Sequence, residues 1–123
     1  LAAQITGGAV MGFGMAALER HIYDTHYGLP GTVGFHQIKP PTYLDVPVEM
    51  GWAAVNIADP QNPVGSKGIG EPVMGCAAAA LLCAISDALG GHYFNRTPIV
   101  PDMIVNAASG QAQSHGPLQV NTA

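Results

Sequence analysis

The residues best placed to do chemistry lie in one short stretch, Val64-Gly65-Ser66-Lys67-Gly68-Ile69-Gly70-Glu71-Pro72. A carboxylate can exchange a proton with a group held within ~3 Å of it. Gly68 and Gly70 carry no Cβ, so the backbone before Glu71 can approach a bulky group without side-chain collision. Pro72 biases the residue before it toward extended geometry and suits the first turn of a helix. Taken alone, a glycine-flanked Glu-Pro is a plain helix-start loop and Glu71 a solvated acid of the first turn.

Other patterns point to no chemistry. Gly68-x-Gly70 lacks the third glycine of a dinucleotide fingerprint. Gly65-Ser66-Lys67 lacks the glycine-to-lysine spacing of a phosphate loop. His21 and His26, five apart, miss the one-face spacing of a helical zinc pair, and His36, His92 and His115 have no visible partners. Cys76 and Cys83, seven apart on a helix, lie ~10 Å apart along its axis, too far to pair. They read as buried free thiols of a reducing cytoplasm, and no metal ligand is assigned in this chain.

The elements that must position Glu71 follow from periodicity. Ile5, Ala9, Val10, Phe13, Ala16, Ala17 and Leu18 recur at helical spacing and predict a helix over Ala2 to Arg20. Its Gly7, Gly8, Gly12 and Gly14 each cost ~1 kcal/mol relative to Ala, which implies close approach of another backbone or a ligand. His21 to Asp24 and Thr32 to Ile38 flank a Gly/Pro-bearing loop and predict a β-hairpin. Val48 to Ile57 predicts a further strand, and Asp59 to Gly70 an irregular loop. Val73 to Leu89, apolar almost all round and ended by Gly90-Gly91, predicts a buried helix. Phe94 to Asn106, with Pro98 and Pro101, reads as extended. The expected fold class is therefore α+β: two apolar helices packed with a β-hairpin and an additional strand, with a C-terminal extended tail. Residues 1-106 form the body and 107-123 a loosely held tail.

Composition bounds the partners. The chain has 123 residues, 48% hydrophobic and only 10% charged, where about 25% charge is typical. So few charges imply that protein covers much of the surface, whether the remainder of a longer polypeptide, another subunit or a second copy. With Arg20, Lys39, Lys67 and Arg96 as its cations and a net charge of −4, the chain has no basic footprint for nucleic acid. Leu1 to Leu18 and Val73 to Gly90 fall short of the ~20 strongly apolar residues of a membrane span, and no signal peptide is visible at the start.

The glycine-rich turn resembles the loop of molybdenum hydroxylases, the xanthine oxidase and aldehyde oxidase family, that brings a glutamate beside the molybdenum. The resemblance runs in order from about residue 4 to 106. Gln4-Ile5-Thr6-Gly7-Gly8 to Glu19 is similar to the family's glycine-rich helix beside the pterin, and Tyr43-Leu44-Asp45-Val46-Pro47 to its link into the strand before the loop. Ala84-Ile85-Ser86-Asp87-Ala88-Leu89-Gly90 resembles the helix end, and Thr97-Pro98-Ile99-Val100-Pro101 the exit that follows.

What the resemblance implies is the C-terminal part of a molybdopterin-binding subunit, in an enzyme that hydroxylates an aldehyde or N-heterocycle with water as oxygen donor. Glu71 takes the position of the catalytic general base. Gly68, Ile69, Gly70, Gly12 and Met11 take the positions near the molybdopterin cofactor. Many family members carry a glutamine at the position of Met11, and a methionine cannot donate that hydrogen bond, which leaves backbone near Gly12. Further cofactor loops come from other polypeptide, and iron–sulfur and FAD groups belong to partner domains or subunits, since two cysteines cannot hold a cluster. The isolated chain is then inactive. The rival expectation is a stand-alone, non-catalytic domain that has lost the cofactor and forms homo-oligomers.

Overall fold

A computed structural model describes residues 1–114. Helix α1 (Ala2–Phe13) widens at its end into a π-helical turn, Gly14–Leu18. A single short turn of helix, α2 (Phe35–Ile38), and a 3-10 turn, Tyr43–Asp45, follow in the connecting segment. Then come the long helix α3 (Pro72–Ala88) and the shorter α4 (Pro101–Ala108).

The two long helices pack against each other, and the glycines of α1 are the reason they can. A Cβ on Gly8 would stand 3.1 Å from the Val73 Cβ; one on Gly12 would stand 2.6 Å from the Ala77 Cβ and 2.8 Å from the Ala78 backbone nitrogen. Residues four apart share a helix face. The pairs Gly8 with Val73 and Gly12 with Ala77 advance together along both chains, so α1 and α3 run side by side in the same direction. Here another backbone sets the need for glycine. Gly7, by contrast, faces open space.

The π-helical end of α1 carries the second contact. The Ala16 carbonyl accepts a 2.7 Å hydrogen bond from the Ile99 backbone N–H, which docks the segment after α3 onto the end of α1. Behind it Phe94, Ile99 and Met103 are buried together, with Leu82, Ile85 and Leu89 of α3 and Ile104 and Ala107 of α4 packed around them. Gly90 and Gly91 have φ of 72° and 87°, the left-handed region in which glycine ends a helix without Cβ strain.

The expected β elements are absent among the described residues, and the chain folds there as helices and irregular segments. In place of the hairpin there is one isolated antiparallel bridge between Tyr23 and Pro30. Its backbone bonds, Asp24 N–H to Leu29 O at 2.8 Å and Gly31 N–H to Ile22 O at 2.7 Å, go no further, because the Ile22 N–H turns to Thr32 Oγ1 at 3.4 Å and the Asp24 carbonyl is taken by the Gly28 N–H at 2.8 Å. The second predicted arm ends in α2 instead. The stretch from Val48 to Ile57 finds no neighbouring strand, and Val48, Val55 and Ile57 stand exposed; a strand is stable only when its N–H and C=O groups find partners. Phe94 to Asn106 is not extended throughout, because Pro101 opens α4. The expected extended C-terminal tail is likewise not found over its first residues: Ala107 and Ala108 complete α4, and Gln113 Nε2 donates to the Met103 carbonyl at 3.1 Å. Residues 115–123, which include His115, lie outside the described residues.

α3 is not buried on all sides. Its Ala77 is buried, while Gly75, Cys76, Ala79, Ala80, Cys83 and Ala84 are exposed on the side away from α1. Among the described residues no helix is long and apolar enough to cross a membrane.

The 3-10 turn is held by a reciprocal cap. The Thr42 backbone N–H and hydroxyl each donate to Asp45 Oδ2 at 2.8 Å. The backbone bond first, and the hydroxyl second, hold the Asp45 carboxyl below its ordinary value. A lowered folded pKa means that this support is present above the ordinary aspartate range and is lost as pH falls through the lowered value. In an NMR titration, the Thr42 amide shift is expected to change at a pH below that range; a midpoint at the ordinary value would refute the cap.

The packing of α1 on α3 gives a second expectation. Gly12→Ala should destabilise the fold by about 1–3 kcal/mol through overpacking, while Gly7→Ala should stabilise α1 by up to about 1 kcal/mol. Thermal unfolding of the purified chain followed by circular dichroism reads both, and equal melting temperatures for the two variants would contradict the packing.

Candidate functional site

The loop ahead of Glu71 is built in two parts, one tied and one open. The tied part closes on itself: the Asp59 N–H donates to Gly65 O at 3.0 Å, and the Gly65 N–H to Asn62 O at 2.9 Å. Asp59 Oδ1 accepts from the Gln61 N–H at 2.9 Å, and Asn62 Oδ1 from the Val64 N–H at 3.0 Å. Gly65 has φ of 68° and lies against Ala58, a position only glycine takes without strain. Lys67 Nζ reaches Asp59 Oδ2 at 3.3 Å. With Lys67 largely exposed, that pair adds at most about 1 kcal/mol.

The open part is Gly68-Ile69-Gly70-Glu71. A Cβ on Gly68 or Gly70 would meet nothing within 4 Å. Glu71 is the residue from which α3 starts, with φ −120° and ψ 1°. Its backbone is therefore at the helix junction and not in the extended geometry that Pro72 favours; the Glu71 carbonyl already accepts the Gly75 N–H at 3.3 Å. The Glu71 side chain is exposed and has no hydrogen bond or ion pair among the described residues.

One side chain bridges α1 to this turn. Gln4 Nε2 donates to the Gly70 carbonyl oxygen at 2.7 Å. The sequence reading quoted Gln4 but gave it no role; its only signal was a long amide in the first turns of an otherwise small and apolar helix.

The remaining sequence-derived positions divide. Gly68, Ile69, Gly70 and Glu71 are contiguous, with Ile69 half-buried and the others exposed. Met11 and Gly12 lie ~10–12 Å further along α1 than Gln4. Met11 is 45% exposed, on the same side as the open Gly7, whereas Gly12 is buried against α3. No cluster of three His, Cys, Asp or Glu side chains that could hold a metal ion occurs among the described residues. A cleft of about 550 Å³ is lined by Met15, Glu19, Arg20, Arg96 and Asp102 among others, and Glu71 does not line it.

Residues 1–47 match a family described as the molybdopterin cofactor-binding domain. The chain is 34% identical over 108 residues to the 6-hydroxypseudooxynicotine dehydrogenase complex subunit gamma of Paenarthrobacter nicotinovorans, which covers 87% of this chain and 14% of that subunit. It is 34% identical over 116 residues to the nicotine 6-hydroxylase large subunit of the same organism, covering 93% of this chain and 14% of the relative. A putative xanthine dehydrogenase molybdenum-binding subunit of Escherichia coli is 36% identical over 98 residues, 80% of this chain and 13% of the relative. Among solved structures, quinoline 2-oxidoreductase from Pseudomonas putida 86 superposes with a TM-score of 0.80 at 33% identity, over 90% of this chain and 14% of that one. The chain thus spans about one seventh of the length of these relatives.

The exposed side of α3 carries both cysteines, each a free and exposed thiol and not buried as the apolar helix had suggested. Cys76 and Cys83 are therefore both expected to alkylate in the purified chain without denaturant. Non-reducing mass spectrometry should show no bond between them; a protected thiol or an internal disulfide would contradict the placement.

Proposed function

Because the chain belongs to the molybdenum hydroxylase family as part of a molybdopterin-binding subunit, we propose that it supplies the general base, Glu71, to an oxidative hydroxylation that uses water as oxygen donor. The observation that carries this reading is an exposed carboxylate without a protein partner, presented by a turn whose glycines face open space. The side chains that cap a helix start are chiefly Ser, Thr, Asp and Asn, and a glutamate there keeps its carboxylate free for another partner. Glu71 makes no such bond.

The residues present fit a bulky cofactor. Gly68 and Gly70 leave free the volume that side chains would fill, and Gly68, Ile69 and Gly70 are the backbone that would lie beside the molybdopterin. Met11, exposed on the open side of α1, offers it an apolar contact in place of a hydrogen bond. Gly12 is taken up by α3, and its part is to let the two helices close. When bound, the molybdenum cofactor supplies the two-electron redox chemistry. The chain's own contribution is to accept a proton at the Glu71 carboxylate as water oxygen is transferred to substrate carbon, and to hold that carboxylate in place.

The rest of the site comes from polypeptide outside this chain, consistent with its span of one seventh of its relatives. That polypeptide is the remainder of the molybdenum subunit, with iron–sulfur and FAD groups in partner domains or subunits to carry electrons away. Nicotine and quinoline, named for two of the relatives, are nitrogen heterocycles. They favour an electron-poor N-heterocycle over an aldehyde as substrate class.

In the assembled holoenzyme, Glu71→Gln is expected to lower kcat by about 10²–10⁴-fold, the usual contribution of a positioned acid or base, with molybdenum content unchanged. Full turnover by this variant would remove Glu71 from the reaction.

A further inference from the structure

We propose that Gln4 is the positioning residue for the Glu71 carboxylate, acting through the Gly70 carbonyl. The inference rests on Glu71 serving as the base and adds to that reading the side chain that sets the carboxylate's place.

The argument begins with the peptide plane. The carbonyl of Gly70 and the Cα of Glu71 belong to one planar unit, so a bond that fixes the Gly70 oxygen also fixes the point from which the Glu71 side chain departs. Nothing else holds that unit from the side. Gly70 has no side chain, a Cβ placed on it would meet nothing within 4 Å, and from Gly68 to Glu71 the Gln4 bond is the only one that a side chain makes to the turn among the described residues.

The donor is itself held. Gln4, Gly8 and Gly12 are spaced by four and share one face of α1. Against them α3 and its entry turn present Gly70, Val73 and Ala77. The Gln4 amide is thus the first rung of the ladder whose next two rungs are the close contacts at Gly8 and Gly12. Two tightly packed helices set the distance between donor and acceptor, and a 2.7 Å bond spans it. Without that bond, Gly68 and Gly70 have no side chain of their own to oppose rotation, and a reacting group displaced by about 1 Å can lose about 10²-fold in rate.

The test uses the assembled holoenzyme with molybdenum content matched between variants. Gln4→Met keeps approximate length and removes the donor, and Gln4→Glu keeps shape and puts an acceptor in the donor's place. Both are expected to lower kcat about tenfold with KM changed less than about twofold, the signature of misplaced reacting groups and not of weakened substrate binding. Both should also speed amide hydrogen exchange at Gly75, whose N–H closes on the Glu71 carbonyl at 3.3 Å, while leaving the body of α3 as protected as before, a readout that does not depend on turnover. In combination with Glu71→Gln, Gln4→Met should add no further loss.

Unchanged kcat, or unchanged exchange at Gly75, would overturn the proposal, as would losses that multiply in the double variant. Glu71→Gln alone separates the two readings. Full turnover there defeats the base assignment itself, whereas loss there beside an undiminished Gln4→Met enzyme defeats only the role of Gln4.

Discussion

The approach of α1 to α3 is the constraint on which the rest depends. At Gly12 the two backbones come so close that a Cβ would sit 2.6 Å from the next one, a separation that only the absence of a side chain permits. Four glycines in one helix cost ~1 kcal/mol each in propensity. Two of them return that cost as dispersion and exclusion of water along a close seam. From this seam follow the parallel course of the helices, the reach of Gln4 to the entry of α3, and the position of the turn that bears Glu71.

The turn itself shows a division of labour. Residues 59–67 spend their backbone groups and polar side chains on one another and form a closed loop of fixed shape. Residues 68–71 spend almost none, apart from the carbonyl given to Gln4. A closed base with an open tip leaves the Glu71 carboxylate accessible and keeps its anchor tied. A turn packed on both sides could not be approached, and one open along its whole length could not be aimed.

How much of this was legible in the sequence depended on where each element finds its partners. α3 was readable because its signals are local: Pro72 at its start, an apolar run, and Gly90-Gly91 at its end. α1 was readable from period despite its glycines, and those glycines pointed to a close contact without saying which backbone made it. The β elements failed for the opposite reason. His21 to Asp24, Thr32 to Ile38 and Val48 to Ile57 have strand-like side chains, yet a strand is completed by a neighbour: the first finds only the single bridge to Pro30, the second ends in α2, and the third has no partner among the described residues. α4 was missed because Pro101 was read as a breaker, although the first helical position tolerates proline well. Glu71 stood out through its glycines and proline, whereas Gln4 acts across a distance of sixty-six residues, which no local pattern encodes.

The exposed surfaces connect composition to assembly. Val48, Val55, Ile57, Tyr43 and Leu44 stand in the open, as does a face of α3 made of glycine, alanine and cysteine. Hydrophobic side chains scattered on a surface are ordinary. A whole helical face of small apolar residues beside an unpaired strand-like segment is not, because each leaves water against apolar area that a neighbour would remove at roughly 25 cal/mol per Å². The low charge content, 10% of residues, accompanies these exposed apolar areas. The same logic separates the two sides of α1. The side bearing Gly8 and Gly12 is closed by this chain's own α3, while the side bearing Gly7 and Met11 is left open. The turn ahead of α3 is likewise held from within, by Gln4 on the Gly70 carbonyl, and the Glu71 carboxylate beyond it is engaged by no group among the described residues.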